Sequence, residues 1–472
     1  MNIHLSGHNA QPSSCHIELI HTNSYPSFSS RGVAKRHSVR HSVSVFHEQN
    51  ATLITVGLGD PSSVDEEVLR DAAGLAIRAA SKEEWEDVSL SLTHLFDTHR
   101  EIHCLVEGVS LGAYRFDRYQ SKKETHHVKT VTLMAGEQHV AALTRALAFV
   151  RGTMLARDLV NEPPNRLRPD TLAEFVTQHF KGSKAEVTVL AGQQLIDEQM
   201  NGLLAVGKGS EYPPRFIQVA YATDPALPLI ALVGKGVTFD TGGISLKGGR
   251  DISNMRMDMG GAGAVIGALD ILIQLGLPCN VVGLIAATEN IPDAGSMLPG
   301  ELIQYRNGIS VQVANTDAEG RLILADALIR AQELQAREVI DIATLTGSAA
   351  AALGPRYAAV FGGEEIVERV REAGLRSGDY VWQMPLPESY REQLKSVYAD
   401  LSNIGKGQGG AIVAALFLKH FVADDQQWAH IDMAGPMEAE KTEGYRPQGA
   451  TGYGARLLAE YVMQRAEQAK NV

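Results

Sequence analysis

Between Asn315 and Leu322 the chain reads Asn-Thr-Asp-Ala-Glu-Gly-Arg-Leu, so that two acids and a base, Asp317, Glu319 and Arg321, alternate within five residues. Carboxylates so close together repel one another unless a cation sits among them. Upstream, Lys235, Asp240 and Lys247 punctuate Gly-Lys-Gly-Val-Thr-Phe-Asp-Thr-Gly-Gly-Ile-Ser-Leu-Lys, and Asp258 stands in Met-Arg-Met-Asp-Met-Gly-Gly. An isolated Asp-x-Glu-x-Arg is most often a solvated turn with an incidental ion pair. Four further charges interrupting apolar or glycine-rich sequence turn the reading toward a carboxylate cage for two metal ions.

The donor types narrow the metal. No histidine joins the set, which speaks against a structural zinc site, and mainly oxygen donors suit Mn²⁺, Mg²⁺ or Zn²⁺. Three aspartates and a glutamate overcharge a single ion, whereas two ions balance them. A close pair implies a bridging hydroxide that attacks a carbonyl or phosphorus centre. Lys235 follows the buried-type run Leu229-Ile-Ala-Leu-Val, where burial is expected to lower its pKa and free an amine lone pair for a metal. Asp258 precedes a helix rich in small residues, where the helix dipole favours an acid and capping is the simpler role. Gly261-Ala-Gly263 lacks the third glycine and the acidic ribose ligand of a dinucleotide loop.

These residues need elements to carry them. Strand-like runs fall at Phe216–Tyr221, Leu229–Val233, Val281–Ala286, Ile309–Val313, Val339–Ala343 and Ala429–Met433, with helical spacing at Gly260–Gln274, Leu322–Gln335 and Ala411–Val422. That order predicts a largely parallel central sheet covered by helices, with ligand loops at the carboxyl ends of its strands. Alternation continued past Val313 would turn Asp317, Glu319 and Arg321 to one side. Earlier in the chain, Ala51–Gly59 reads as a strand, Val64–Ala80 as a helix, Ile102–Val106 as a second apolar run and Val128–Met134 as another strand. Val140, Leu143, Leu147, Val150 and Met154 mark a long helix that stops before Asn161-Glu-Pro-Pro. The expected organisation is α/β throughout: a smaller N-terminal α/β domain over 1–136, a connecting helix and linker over 137–164, and a larger C-terminal α/β domain over 165–472.

Composition bounds the partners. The 472 residues exceed one ordinary core, and 43 basic against 55 acidic side chains give a net charge of −12, which disfavours general attraction to nucleic acid or anionic lipid. The run from Arg31 to Arg40 is locally basic. Three cysteines at 15, 104 and 279 form no pairing pattern and suit a reducing cytoplasm. No secretory signal and no run of membrane-spanning length is expected.

From Asn161-Glu-Pro-Pro-Asn to Gly449-Ala-Thr-Gly-Tyr-Gly-Ala-Arg the chain resembles the leucine aminopeptidase (cytosol aminopeptidase) family of dinuclear metallopeptidases, and the order and spacing of all seven charged residues agree with it. The first domain resembles the family loosely, through Gly57-Leu-Gly and Glu107-Gly. The resemblance implies that Asp240 and Glu319 bridge two divalent ions (Mn²⁺ or Zn²⁺), that Lys235 and Asp258 complete one site, and that Asp317 completes the other. It further implies that Lys247 stabilises an oxyanion and that Arg321 holds a bicarbonate acting as general base. Met255, Asp258, Thr344, Gly347, Ala434 and Met437 would bind the first residue of a peptide with a free N-terminus, and the two methionines predict a preference for Leu-like and Met-like side chains. Homohexamers are implied as well. Thr241, Gly248 and Glu301 depart from the usual Ser, Pro and Asp without removing a charge. Two other readings compete: a nucleic-acid-binding or regulatory role, disfavoured by charge, and a phosphoester substrate, disfavoured by the apolar pocket residues.

Overall fold

In the computed structural model the described residues are 1–7, 12–22, 35–48, 51–91, 98–123, 125–249 and 251–470. The beginning of the basic run, 31–34, lies outside them. The chain forms two compact units, one of residues 1–154 with 439–449 and one of 155–438 with 450–472. Their division falls within the helix Val140–Asn161.

The first unit holds a six-stranded sheet of β1 (Asn2–Ser6), β2 (Cys15–His21), β3 (Val43–Glu48), β4 (Ala51–Gly59), β5 (Asp87–Ser91) and β6 (Thr130–Met134), in the order β1-β6-β5-β2-β4-β3. All its pairings are parallel except β3 against β4. The apolar run Ile102–Val106 is helical rather than extended, inside His99–Gly112. A capping box decides it: Thr98 accepts from the Glu101 backbone while the Glu101 carboxylate takes the Thr98 N–H. Tyr445, from the returning segment 439–449, is buried in this unit's core beside Ala72, Ala73 and Val150.

The second unit is built on an eight-stranded sheet. Its strands are β7 (Glu186–Ala191), β8 (Arg215–Ala222), β9 (Ile230–Asp240), β10 (Asn280–Asn290), β13 (Glu338–Ala343), β14 (Ala358–Gly362), β15 (Val381–Gln383) and β17 (Gln427–Asp432), ordered β15-β14-β17-β13-β9-β10-β8-β7. The centre, β17-β13-β9-β10, is parallel, and antiparallel pairs appear toward the margins. Nearly every residue of β9, β10 and β13 is buried, as expected of parallel strands covered on both faces. Strands β11 (Leu302–Gln304), β12 (Ser310–Gln312) and β16 (Leu401–Ser402) make a small separate sheet.

The helix Gly260–Leu275 lies so close to this sheet that a Cβ on Gly261 would stand 2.1 Å from the Ile342 carbonyl and 2.7 Å from the Lys235 backbone nitrogen. Glycine there lets the turn carrying Asp258 approach β9. Contrary to the expectation from the sequence, one stretch does reach membrane-spanning length: Ser253–Leu275, of 23 residues and mean hydropathy 1.4. It is 83% buried over its most apolar window, so its apolarity is that of a core helix.

Candidate metal centre

Asp240 is the last residue of β9, Lys235 lies midway along the same strand, and Asp258 sits in a short 3-10 turn, Ser253–Met259, ahead of the helix Gly260–Leu275. Glu319 occupies the N-cap position of the helix Gly320–Glu333. The structure brings these distant stretches together. One oxygen each from Asp240, Asp317 and Glu319 lie within 4.8 Å of one another. The Lys235 ammonium is 2.8 Å from Asp258, 2.8 Å from Glu319 Oε1 and 3.1 Å from the Thr344 carbonyl. That of Lys247 is 2.6 Å from Asp240 Oδ2 and also bonds Asp317.

The convergence of Asp317 and Glu319 does not come from continued strand alternation. Strand β12 ends at Gln312, and Glu319 already has helical angles, φ −73° and ψ −37°. A turn does the work instead: the Asn315 side chain accepts from the Asp317 N–H at 2.8 Å. Thr316 stitches this turn to the lysine loop, donating to the Gly242 carbonyl at 2.6 Å and accepting from the Ser245 N–H at 2.8 Å. Asn290, closing β10, donates both to Asp240 Oδ1 at 2.8 Å and to the Thr316 carbonyl at 3.0 Å. Gly242 is held at φ +90°, with space for a Cβ limited by the Ser245 carbonyl at 2.6 Å. Only glycine adopts that conformation without strain.

Four carboxylates, Asp240, Asp258, Asp317 and Glu319, face two ammonium groups, leaving two negative charges in a largely buried site. Burial raises the pKa of Asp258, Glu319 and Asp317, while the lysines oppose the rise. The expectation for Lys235 is reversed. Burial pulls its pKa down, but Asp258, Glu319 and Asp240 outweigh burial and hold the amine protonated. Lys247 is likewise raised, against its own burial, by Asp240 and Glu319. Asp258 does not cap its helix either: the N-cap is Met259, without a side-chain bond. Its Oδ1 accepts from Lys235 and, at 2.8 Å, from the Thr344 hydroxyl.

Two buried atoms test the fit of charged guests. Glu319 Oε2 has no hydrogen-bond donor among the described residues, and Arg321 Nε has no acceptor among them. A carboxylate oxygen left so is consistent with a cation, and the crowded oxygen donors with a divalent one. Arg321 gives Nη1 to the Asn403 carbonyl at 2.8 Å, and burial lowers its pKa to about 10 against the pull of Glu319 and Asp432.

Of the residues expected to bind substrate, Thr344 reaches the cage directly, through its hydroxyl on Asp258. Asp432, buried at the end of β17, accepts from the backbone of Leu345, Thr346 and Ala434 and from the Thr346 hydroxyl. That one carboxylate fastens the segment of Thr344 and Gly347 to Ala434. An ion pair of 3.7 Å between Arg256 and Glu438 joins the neighbours of Met255 and Met437 in the same way. Thr344 is buried, Met255, Ala434 and Met437 are half-buried, and Gly347 is exposed. Asn290, Thr316, Asp432 and Asn403 were not singled out by the sequence. Only Asp432, an acid closing an apolar strand, carried the kind of signal that marked Asp240.

Comparison with known proteins identifies the family. The family model described as "Cytosol aminopeptidase family, catalytic domain" matches residues 154–459, and that for the N-terminal domain of the same family matches 34–123. A probable cytosol aminopeptidase of Geobacter sp. (strain M21) is 40% identical over 422 residues, 88% of this chain and 86% of the relative. One from Synechococcus sp. (strain JA-3-3Ab) is 41% identical over 429 residues, 88% and 84% of the two chains. Among solved structures, the bottromycin maturation enzyme BotP superposes with a TM-score of 0.88 at 34% identity, covering 96% of this chain and 100% of its own. BotP in complex with Mn gives the same TM-score and identity, covering 96% and 99%. The chain therefore belongs to the cytosol aminopeptidase family and is a metal-dependent hydrolase that removes residues from the N-termini of peptides.

Proposed function

We propose that the chain is a leucyl aminopeptidase with two divalent ions, Mn²⁺ or Zn²⁺, held by Lys235, Asp240, Asp258, Asp317 and Glu319, with Asp240 and Glu319 shared between them. The observation that carries this is the cluster of Asp240, Asp317 and Glu319 oxygens within 4.8 Å, beside a buried Glu319 oxygen that lacks a donor among the described residues. Bound there, the ions would supply the hydroxide bridging them as nucleophile and a Lewis acid for the scissile carbonyl.

The chain's own groups do the rest. Lys247 is tethered by Asp240 and Asp317 on a loop whose glycines allow it to turn over the cage, and it places a cation where negative charge develops on the carbonyl oxygen. Asp258 receives the substrate's free α-amine, which limits cleavage to the terminal residue. Arg321, with Nε unengaged among the described residues, suits a planar anion such as bicarbonate. Met255, Thr344, Gly347, Ala434 and Met437 form a pocket for a Leu or Met side chain, the two thioethers adjusting to either shape.

Hexamers are proposed from the family resemblance. Val397 and Tyr398, 85% and 72% exposed, are side chains of the kind that subunit contacts cover. A cytoplasmic location suits the three unpaired, buried cysteines. Nucleic acid is not proposed as a main partner at a net charge of −12. The test is hydrolysis of a leucyl anilide by protein stripped with chelator and reloaded with Mn²⁺ or Zn²⁺, beside Glu319→Ala. Turnover should need the metal and vanish in the variant while its circular dichroism stays that of the parent. Chelator-resistant turnover would refute the reading.

A further inference from the structure

We propose that Asn403 is a positioning residue that locks the ligand turn 314–319 and Arg321 into one rigid piece, so that metal affinity and anion affinity rise and fall together. This rests on the reading of Asp317 and Glu319 as metal ligands and of Arg321 as the anion holder.

Asn403 follows β16, which runs parallel to β12 with Val311 opposite Leu401 and Gln312 opposite Ser402. Its own N–H extends that ladder by one bond, to the Gln312 carbonyl at 3.0 Å. The backbone of 313–318 then leaves strand geometry, and the Asn403 side chain takes over the pairing. Its Oδ1 accepts from the N–H groups of Ala314 at 2.8 Å and Asn315 at 3.2 Å, and its Nδ2 donates to the carbonyls of Asn315 at 2.7 Å and Ala318 at 3.4 Å. Its carbonyl accepts from Arg321 Nη1 at 2.8 Å.

Both polar atoms of the side chain and the carbonyl of a wholly buried residue are thus spent on the segment that bears Asp317, Glu319 and Arg321. A side-chain amide suits the place because it offers two acceptor sites and two donors in one plane. A carboxylate keeps the acceptors and loses the donors, and alanine loses all four bonds. The Asn403 carbonyl also anchors one end of the Arg321 guanidinium and so sets the direction of Nε. Residues that orient metal ligands from behind change affinity by about 10–100-fold when altered.

The experiment compares Asn403→Ala, Asn403→Asp and Val367→Ala, the last a core truncation in the helix Glu364–Ser377. Mn²⁺ binding to stripped protein is followed by the paramagnetic resonance of the free ion, and the bicarbonate concentration for half-maximal leucyl anilide hydrolysis is measured alongside. Both Asn403 variants should bind Mn²⁺ about 10–100-fold more weakly and need more bicarbonate. Val367→Ala should lose melting temperature and keep both affinities. If Asn403→Ala does not fold, Asn403→Asp, with its acceptor bonds intact, decides the matter. Variants that melt earlier but bind Mn²⁺ as the parent does, or that change one affinity without the other, overturn the proposal and leave the proposed function standing. A parent chain that takes up no Mn²⁺ refutes the metal-centre reading itself.

Discussion

Lys235 is the cation on which the metal-free cage depends, and Lys235→Met tests that dependence directly. Its ammonium stands 2.8 Å from both Asp258 and Glu319 and is nearly devoid of solvent. Methionine fills a similar volume without charge, so the variant leaves two buried carboxylates without their shared partner. Breaking a buried ion pair in this way costs about 3–5 kcal/mol. The cost has a pH signature. Asp258 and Glu319 already have raised pKa values because of burial, and losing Lys235 raises them further. The folded variant then binds protons that the unfolded chain, with carboxyl groups near their ordinary range, has released. Stability therefore rises as pH falls through that window, by up to about 1.4 kcal/mol per pH unit for each proton taken up. Between about pH 8 and about pH 5.5 the deficit should therefore shrink, by at most roughly 3 kcal/mol for each proton that the variant takes up beyond the parent. Urea titrations of chelated parent and variant at the two pH values measure the difference. A deficit that is absent at the higher pH, or equal at both, would show that Lys235 is not the counter-ion of these two acids.

Other consequences are independent of this one. Asp326 accepts from the Leu203 N–H at 2.7 Å, and burial raises its pKa to about 8. The folded chain thus keeps a proton that the unfolded chain sheds from about pH 4 upward, and stability is lost as pH climbs toward 8. Asp326→Asn removes that titration, so thermal melts should favour the variant increasingly from pH 5 to pH 9, by a few kcal/mol overall; a constant difference would refute the assignment. Gly242→Ala should weaken Mn²⁺ binding and lower stability by about 1–3 kcal/mol through strain at positive φ, whereas Gly248→Ala, with open space around its Cβ, should do neither. Equal effects at the two positions, read by melting and Mn²⁺ titration, would refute the loop geometry. Metal uptake should release at least one proton, because the cage holds Lys235 charged in the absence of metal and a ligand amine must be neutral. Calorimetry in buffers of different ionisation enthalpy reads that number directly, and a value of zero would remove Lys235 from the ligand set.

What could be read from the sequence was what burial writes into it. Strands β9, β10, β13 and β17 are buried along nearly their whole length and stand out as largely apolar runs, and a charge within or just beyond such a run, as at Lys235 or Asp240, is conspicuous. The two- and three-residue strands β11, β15 and β16 bury too little to leave a period, whereas β12 falls inside the alternating run Ile309–Val313, and Ile102–Val106 shows that a short apolar run alone does not distinguish strand from helix. The return of 439–449 into the first unit, with Tyr445 in its core, rests on contacts between residues hundreds of positions apart and leaves no local mark. The same division runs through the site. Its charges were legible because isolated charge is costly among apolar neighbours. The amides of Asn290 and Asn403 were not, because asparagine is ordinary in loops and becomes informative only when its bonds can be counted. The sign of the Lys235 shift belongs with them. Burial and attraction act on that amine in opposite directions, and which prevails depends on whether Asp258 and Glu319 arrive within about 3 Å, a separation at which one opposite charge contributes several kcal/mol. Two such partners outweigh desolvation, so in the absence of metal the cage is held together by its lysines.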